Sequence, residues 1–361
     1  MRTVRLNVSE DGTQSQLVYT DDAPVLSARA GHVLVDVKAC GLSPLNHKAL
    51  VAMNDSNSDL PVGFEISGIV KEIGPEVTSV QVGDAVTGIL PLSSECSGCA
   101  DECEISEFAV VNKPESVNHI TAAGAILPGV WAYTALRYQG HITAGDTVLI
   151  CDGATANGII AIQLAQRWGA KVMATAANQV EADFLEKLEP SIAAVINMSK
   201  TKSLIETCLA ETGGLGVDCV IDQGVEMVSS GERYSELVLS SLSHSGEGEV
   251  TKRRPITKHD IISILGFGGR WVTSTGQLQL DPPDSQFLFM KGAAVSFLFD
   301  NIWVLSGAQQ GKYLHIIQDL MEKLQKEELR PTIHHTLMLP DVTSELERLS
   351  PHLIGKVVMR T

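Results

Sequence analysis

Residues Thr147–Ala165 read TVLICDGATANGIIAIQLA, and their types and spacing suit the binding of a pyrophosphate. Thr147–Cys151 is a β-branched and apolar run, the pattern of a buried parallel strand. Asp152–Asn157 is a tight turn of small residues. A helix is predicted from Gly158, with Gly158, Ala161 and Ala165 at spacings of three and four, a small face on which a helix lies close to a sheet. The first amides of such a helix are unpaired and its dipole favours negative charge there. Lys171–Ala176 follows at the interval that closes a βαβ unit. The fingerprint is degraded: there is no G-x-G-x-x-G, only Gly153 and Gly158, with Ala154, Thr155, Ala156 and Asn157 between them. The segment points to a dinucleotide-binding fold.

Cys96, Cys99 and Cys103 form C-x2-C-x3-C beside Asp101, Glu102 and Glu104. A structural zinc site takes four ligands at tight spacing. The nearest further cysteines in sequence are Cys40 and Cys151, and a carboxylate is a poor member of a thiolate-rich site. The group reads as a surface loop with three free thiols, with zinc binding as the alternative.

The elements that must position these residues come in two textures. Up to about residue 120 the chain shows short strands broken by glycine turns. They include a hairpin at Asp11–Gly12, His32–Lys38, Leu60–Gly74, Val80–Leu90 and Phe108–Asn112, and they suggest a partly open antiparallel β-barrel. Thr121–Leu136 is Ala-rich and helical, interrupted by Pro128. Strands then alternate with helices: Thr147–Cys151, Lys171–Ala176, Ala194–Asn197, Asp218–Ile221, Arg270–Thr273 and Ala294–Leu298, with helices at Gly158–Trp168, Glu181–Leu188, Thr201–Glu211 and His259–Leu265. This is the rhythm of an α/β doubly wound parallel sheet. Residues 226–258, rich in Ser, Glu and Lys, read as a surface insertion. Gly307–Lys326 reads as an amphipathic helix, and Arg330–Thr361 returns to barrel strands. The expected domains are 1–120 with 330–361, and 121–329 inserted between them.

The 361 residues leave room for two cores. A net charge of −16 argues against binding nucleic acid or an anionic membrane by general attraction. No apolar stretch is long enough to span a bilayer, and MRTVRLNVSEDG lacks the apolar run of a signal peptide. Seven scattered cysteines read as reduced thiols, so a cytoplasmic location is expected.

In this order and spacing, VKACGLSPLN, LPVGFEISGIV, VGDAVTGILPL, AYTAL, DGATANGIIAIQLA, ETGGLGVDCVID, LQLDPPDS, KGA and QQGKYL resemble the medium-chain dehydrogenase/reductase superfamily, in its quinone oxidoreductase (zeta-crystallin) branch. The resemblance implies a Rossmann sheet inserted in a GroES-like barrel, and a homodimer joined through the last sheet strands, where Val295, Phe297 and Phe299 alternate. It also implies NADPH-dependent reduction of a quinone or an α,β-unsaturated carbonyl. Zinc-dependent relatives place a catalytic Cys where Ser43 stands and the His of G-H-E where Phe64 stands, so no catalytic zinc is expected.

Carried onto this chain, the resemblance puts pyrophosphate at Gly153, Ala154, Thr155, Ala156, Asn157 and Gly158, the adenosine ribose near Asn178, and Gly224, Thr273 and Ser274 beside the nicotinamide. Ser43, with Asn46, would hydrogen-bond the substrate carbonyl. Four departures cluster on that ligand. Thr155 and Ala156 replace the two central glycines of the turn, Glu181 stands at the family's phosphate-binding Lys, Ser43 replaces Asn, and Trp131 replaces Thr. NADP(H) is expected from the resemblance. The alternative is an impaired member acting as a nucleotide-binding or protein-interaction scaffold.

Overall fold

The computed structural model describes residues 1–9, 15–43, 59–201, 203–225, 255–305, 307–350 and 353–361. The hairpin read at Asp11–Gly12, Asn46 and residues 226–254 of the expected insertion lie outside the described residues.

The apolar runs after residue 146 form six parallel strands: Thr147–Ile150, Lys171–Ala176, Ala194–Asn197, Val217–Asp222, Leu265–Thr273 and Ala294–Phe297. Numbered along the chain, their order across the sheet is 3-2-1-4-5-6. The order reverses direction beside the first strand, and ligands of such sheets bind beyond the strands' carboxyl ends at that point. Leu149, Met173, Val220, Ile261, Trp271 and Leu288 share one buried core in this unit, which comprises Ala135–Gly153 and Ala165–Leu298. Each such side chain contributes about 1.5–3 kcal/mol by leaving water.

Caps set the helix boundaries. Ser203 accepts from the Glu206 amide and starts the helix at Leu204 rather than Thr201. Thr257 and Asp260 form a reciprocal capping box, so the helix runs over Lys258–Ile264, and Ile256, the last apolar residue of the expected insertion, is buried. A helix at Pro282–Lys291 goes beyond the sequence reading. It opens with an Asp281–Asp284 capping box and proline in its first turn, and ends on Gly292 at φ 61°.

The second unit, Met1–Thr134, Ala154–Leu164 and Phe299–Thr361, holds a seven-stranded sheet. Its main path runs Ile333–Met338, Lys356–Arg360, His32–Leu42, Glu65–Ile73, Ala85–Ile89 and Val110–Asn112, with Glu102–Ser106 pairing on His32–Leu42. The pairs are antiparallel except the first. A three-stranded sheet of Ser15–Thr20, Thr3–Val8 and Asp59–Pro61 accompanies it. The helix His119–Tyr133 runs through Pro128 without interruption. Every residue from Ala122 to Tyr133 is buried, and that packing outweighs the local cost of about 3 kcal/mol for an internal proline. The cysteine loop also differs from expectation. Cys99 and Cys103 are fully buried, because the chain from Glu102 becomes a strand of the sheet, and only Cys96 is half-buried.

Candidate functional site

The turn Asp152–Gly158, expected from resemblance to hold a pyrophosphate, is tied down by hydrogen bonds to two distant segments. Asp152 takes a left-handed φ of 54°, and its amide donates to Thr175 Oγ1 at 2.9 Å. The Gly153 amide donates to the Thr175 carbonyl at 2.9 Å. The Gly355 amide donates to the Ala154 carbonyl at 3.1 Å, and Thr155 bridges to Gly355 in parallel. The helix begins at Ala156, two residues before the expected Gly158. Thr155 explains the earlier start, since its Oγ1 accepts from the Gly158 amide at 3.1 Å in the manner of an N-cap. The hydroxyl thereby uses an amide that would otherwise serve an anion at the helix start. Ala154 and Gly158 are buried; Thr155, Ala156 and Asn157 are half-buried.

At the carboxyl ends of the fourth and fifth strands, Asp222 organises a second group. Its Oδ1 accepts from the Gly224 amide at 2.8 Å and from Thr273 Oγ1 at 3.0 Å, and its Oδ2 accepts from Trp271 Nε1. Its carbonyl accepts from the Ser274 amide at 3.3 Å. Burial pushes the Asp222 carboxyl up to about 6 against the pull of these donors. Gly224 sits at φ 139°, a backbone that a side chain would strain. Gly224, Thr273 and Ser274, expected beside one ligand, are thus held together by one carboxylate. The sequence reading had no role for Asp222 or Trp271, whose meeting depends on strand pairing. The Ser274 hydroxyl is buried and, among the described residues, has no hydrogen-bond partner. An orphaned buried hydroxyl is uncommon, and here it faces the need that a ligand's polar group would meet. In this respect the residues fit a dinucleotide.

The end of the second strand is closed by Asn178 and Glu181. Asn178 Oδ1 accepts from the Glu181 amide at 3.0 Å and caps the helix Gln179–Leu185. Glu181 folds back, so that its Oε2 accepts from the Ala177 amide at 2.7 Å and its Oε1 from Asn178 Nδ2 at 3.2 Å. It is 4% exposed.

In the other unit, Ser43 follows the strand His32–Leu42 and is half-buried, while its expected companion Asn46 lies outside the described residues. Trp131 is buried in the helix His119–Tyr133. Phe64 is buried and offers no donor where zinc-dependent relatives place histidine, so Ser43 and Phe64 do not fit a catalytic zinc. Glu65, fully buried, binds Lys356 Nζ through Oε1 at 2.5 Å, and its Oε2 has no hydrogen-bond partner among the described residues. Burial raises the Glu65 carboxyl, and Lys356 opposes that rise. A side chain at Gly41 would lie 2.8 Å from Glu65 Oε2 and 2.7 Å from the Ala123 carbonyl, so only glycine fits there. Cys40 and Cys99 face each other with sulfurs 4.0 Å apart. Among the described residues, no three His, Cys, Asp or Glu side chains are grouped to hold a metal ion.

Residues 29–151 match the alcohol dehydrogenase GroES-like domain family, and residues 156–247 match the family described as zinc-binding dehydrogenase. The chain is 45% identical over 348 residues to quinone oxidoreductase-like protein 1 of Mus musculus, covering 96% of each. It shares its fold with the quinone oxidoreductase of Coxiella burnetii (TM-score 0.73, 23% identity, 100% of this chain and 99% of that one). It shares it also with the CurK enoyl reductase (TM-score 0.75, 23% identity, 99% of this chain and 98% of that one).

Proposed function

The chain belongs to the medium-chain dehydrogenase/reductase family, in its quinone oxidoreductase-like branch, and from that premise we propose that it is a zinc-independent NAD(P)H-dependent reductase of a quinone or an α,β-unsaturated carbonyl. The observation that carries this reading is the Asp222 cluster with the orphaned Ser274 hydroxyl at the carboxyl ends of the central strands. The donor set supports zinc independence, since Ser43 and Phe64 stand where a thiolate and an imidazole would be needed.

A bound dihydronicotinamide supplies the hydride that an electron-poor carbon accepts. The turn Gly153–Gly158 would hold the pyrophosphate, with Thr155 keeping the helix start in place. Gly224 and Thr273, fixed by Asp222, would form the wall beside the nicotinamide, and the Ser274 hydroxyl would hydrogen-bond its carboxamide. Ser43, with Asn46, would donate to the carbonyl oxygen as negative charge develops there. The task of these groups is orientation and charge stabilisation, which needs neither a nucleophile nor a carboxylate pair.

The test is the oxidation of reduced dinucleotide, followed by absorbance, against a panel of quinones and enones. Ser43→Ala should lower kcat about tenfold to a hundredfold with little change in dinucleotide affinity. No turnover with any member of the panel, while dinucleotide binding persists, would favour the second reading, a nucleotide-binding scaffold without turnover. That reading draws on Ala156 in the turn and on the Thr155 hydroxyl occupying the Gly158 amide. The branch's dimer is proposed as well. The sixth strand, Ala294–Phe297, is an edge of its sheet, and Phe297 and Phe299 are 53% and 46% exposed.

A further inference from the structure

We infer that the adenosine end of this site accepts a ribose 2′-hydroxyl and rejects a 2′-phosphate, so that the dinucleotide is NAD(H), with Glu181 as the residue that sets the choice. The inference rests on the proposed dinucleotide reading and departs from the NADP(H) expected from resemblance.

In a doubly wound sheet the adenosine ribose lies at the carboxyl end of the second strand, where an acid meets ribose hydroxyls or a cation meets a 2′-phosphate. That end is Ala176, and no acid lies in the stretch 175–179 that closes the strand and runs on from it. The acid arrives by folding back. Glu181 Oε2 is anchored on the Ala177 amide, one residue past the strand, and Oε1 on the Asn178 side chain. The capping of the helix by Asn178 fixes the backbone from which Glu181 reaches. A carboxylate is thus built into the strand end, in a setting where burial weakens screening of its charge. Gln179 extends the same wall. Its Nε2 donates to Asp183, and its Oε1 accepts from Asn197 Nδ2 at 3.1 Å, at the end of the third strand. Between Lys171 and Lys187 the chain carries no Lys or Arg, and Lys171 Nζ donates to the Glu211 carbonyl. A phosphate dianion at the 2′ position would meet Glu181 and Asp183, whereas a hydroxyl can donate to either carboxylate or to the Asn178 amide oxygen. The buried Ser274 hydroxyl, in the same unit and without a partner among the described residues, is an independent sign of a ligand at the carboxyl ends of the sheet's strands.

The test is a titration of the full chain with NADH and with NADPH, read by calorimetry and thermal shift. NADPH should bind at least tenfold more weakly than NADH. Glu181→Gln should shrink that gap to threefold or less. Because Glu181→Gln also weakens a cap, Gln179→Lys serves as the second variant: the position is exposed, and a cation there should strengthen NADPH alone. Lys200→Ala covers the exposed cation just past the third strand and should leave the ratio unchanged. NADPH binding as tightly as NADH, or a ratio that moves only with Lys200, would overturn the inference and leave the dinucleotide reading standing. Saturable binding of neither would remove the dinucleotide reading, and this inference with it.

Discussion

Single residues carry constraints that their type alone does not announce. Gly63 sits at φ 76°, and a Cβ there would lie 2.5 Å from Cys40 Sγ and 2.6 Å from Cys99 Sγ. Gly31 has a similar φ of 69°, with nothing among the described residues within 4 Å of the same position. Gly31→Ala should cost about 1–2 kcal/mol for the backbone alone. Gly63→Ala should cost about 2–5 kcal/mol, since overpacking adds to the strain. Urea midpoints would separate the two, and equal losses would refute the account. Asp222 gives a pH prediction. Its folded carboxyl titrates near 6, above the ordinary value of 3.8, so the folded state binds its proton more tightly than the unfolded chain does. The associated stability is full below about pH 4 and is lost as pH rises through 6, on the order of 3 kcal/mol. Asp222→Asn should flatten the stability profile between those limits. A slope unchanged by the substitution would mean that another group titrates there.

At the level of elements, the six parallel strands were legible because each is a short β-branched run between turns. Their order in the sheet was not legible, since pairing joins distant segments. The Pro282–Lys291 helix was missed although Asp281 and Asp284 mark its start, because proline there reads equally as a turn. This helix also closes another. Lys291 Nζ donates to the carbonyls of Ile262, Ser263 and Leu265, at 2.8, 2.9 and 2.6 Å, at the end of the helix Lys258–Ile264. Lys291→Met keeps the apolar stem and removes the three bonds. It should cost about 1–3 kcal/mol, because it leaves carbonyls that only solvent can satisfy. Hydrogen exchange should then quicken in Lys258–Ile264 before it does in the central strands, and uniform quickening would argue against a local role.

For the molecule as a whole, the family was legible from motif order, while the site was legible only in part. Gly224, Thr273 and Ser274 were named from resemblance, but the carboxylate that joins Gly224 to Thr273 and Ser274 reaches across a strand pair. Glu65 and Lys356 are 291 positions apart, and no local pattern links them. Glu181 was named only as the replacement of the family's Lys, and the turn of its side chain onto the Ala177 amide was not anticipated. The proposed dimer belongs to this scale too. If the edge strand Ala294–Phe297 mediates it, Phe297→Asp should give a monomer by light scattering with an unchanged unfolding midpoint. A dimer that persists would direct attention to another face.

The bond between the Gly355 amide and the Ala154 carbonyl has a consequence in time. The turn is translated about two hundred residues before the glycine that completes it. At about 5–20 residues per second, that is a wait of about 10–40 seconds. During synthesis the nascent chain therefore carries an unfinished turn, and any early nucleotide binding by the growing polypeptide would have to do without the glycine that later completes it.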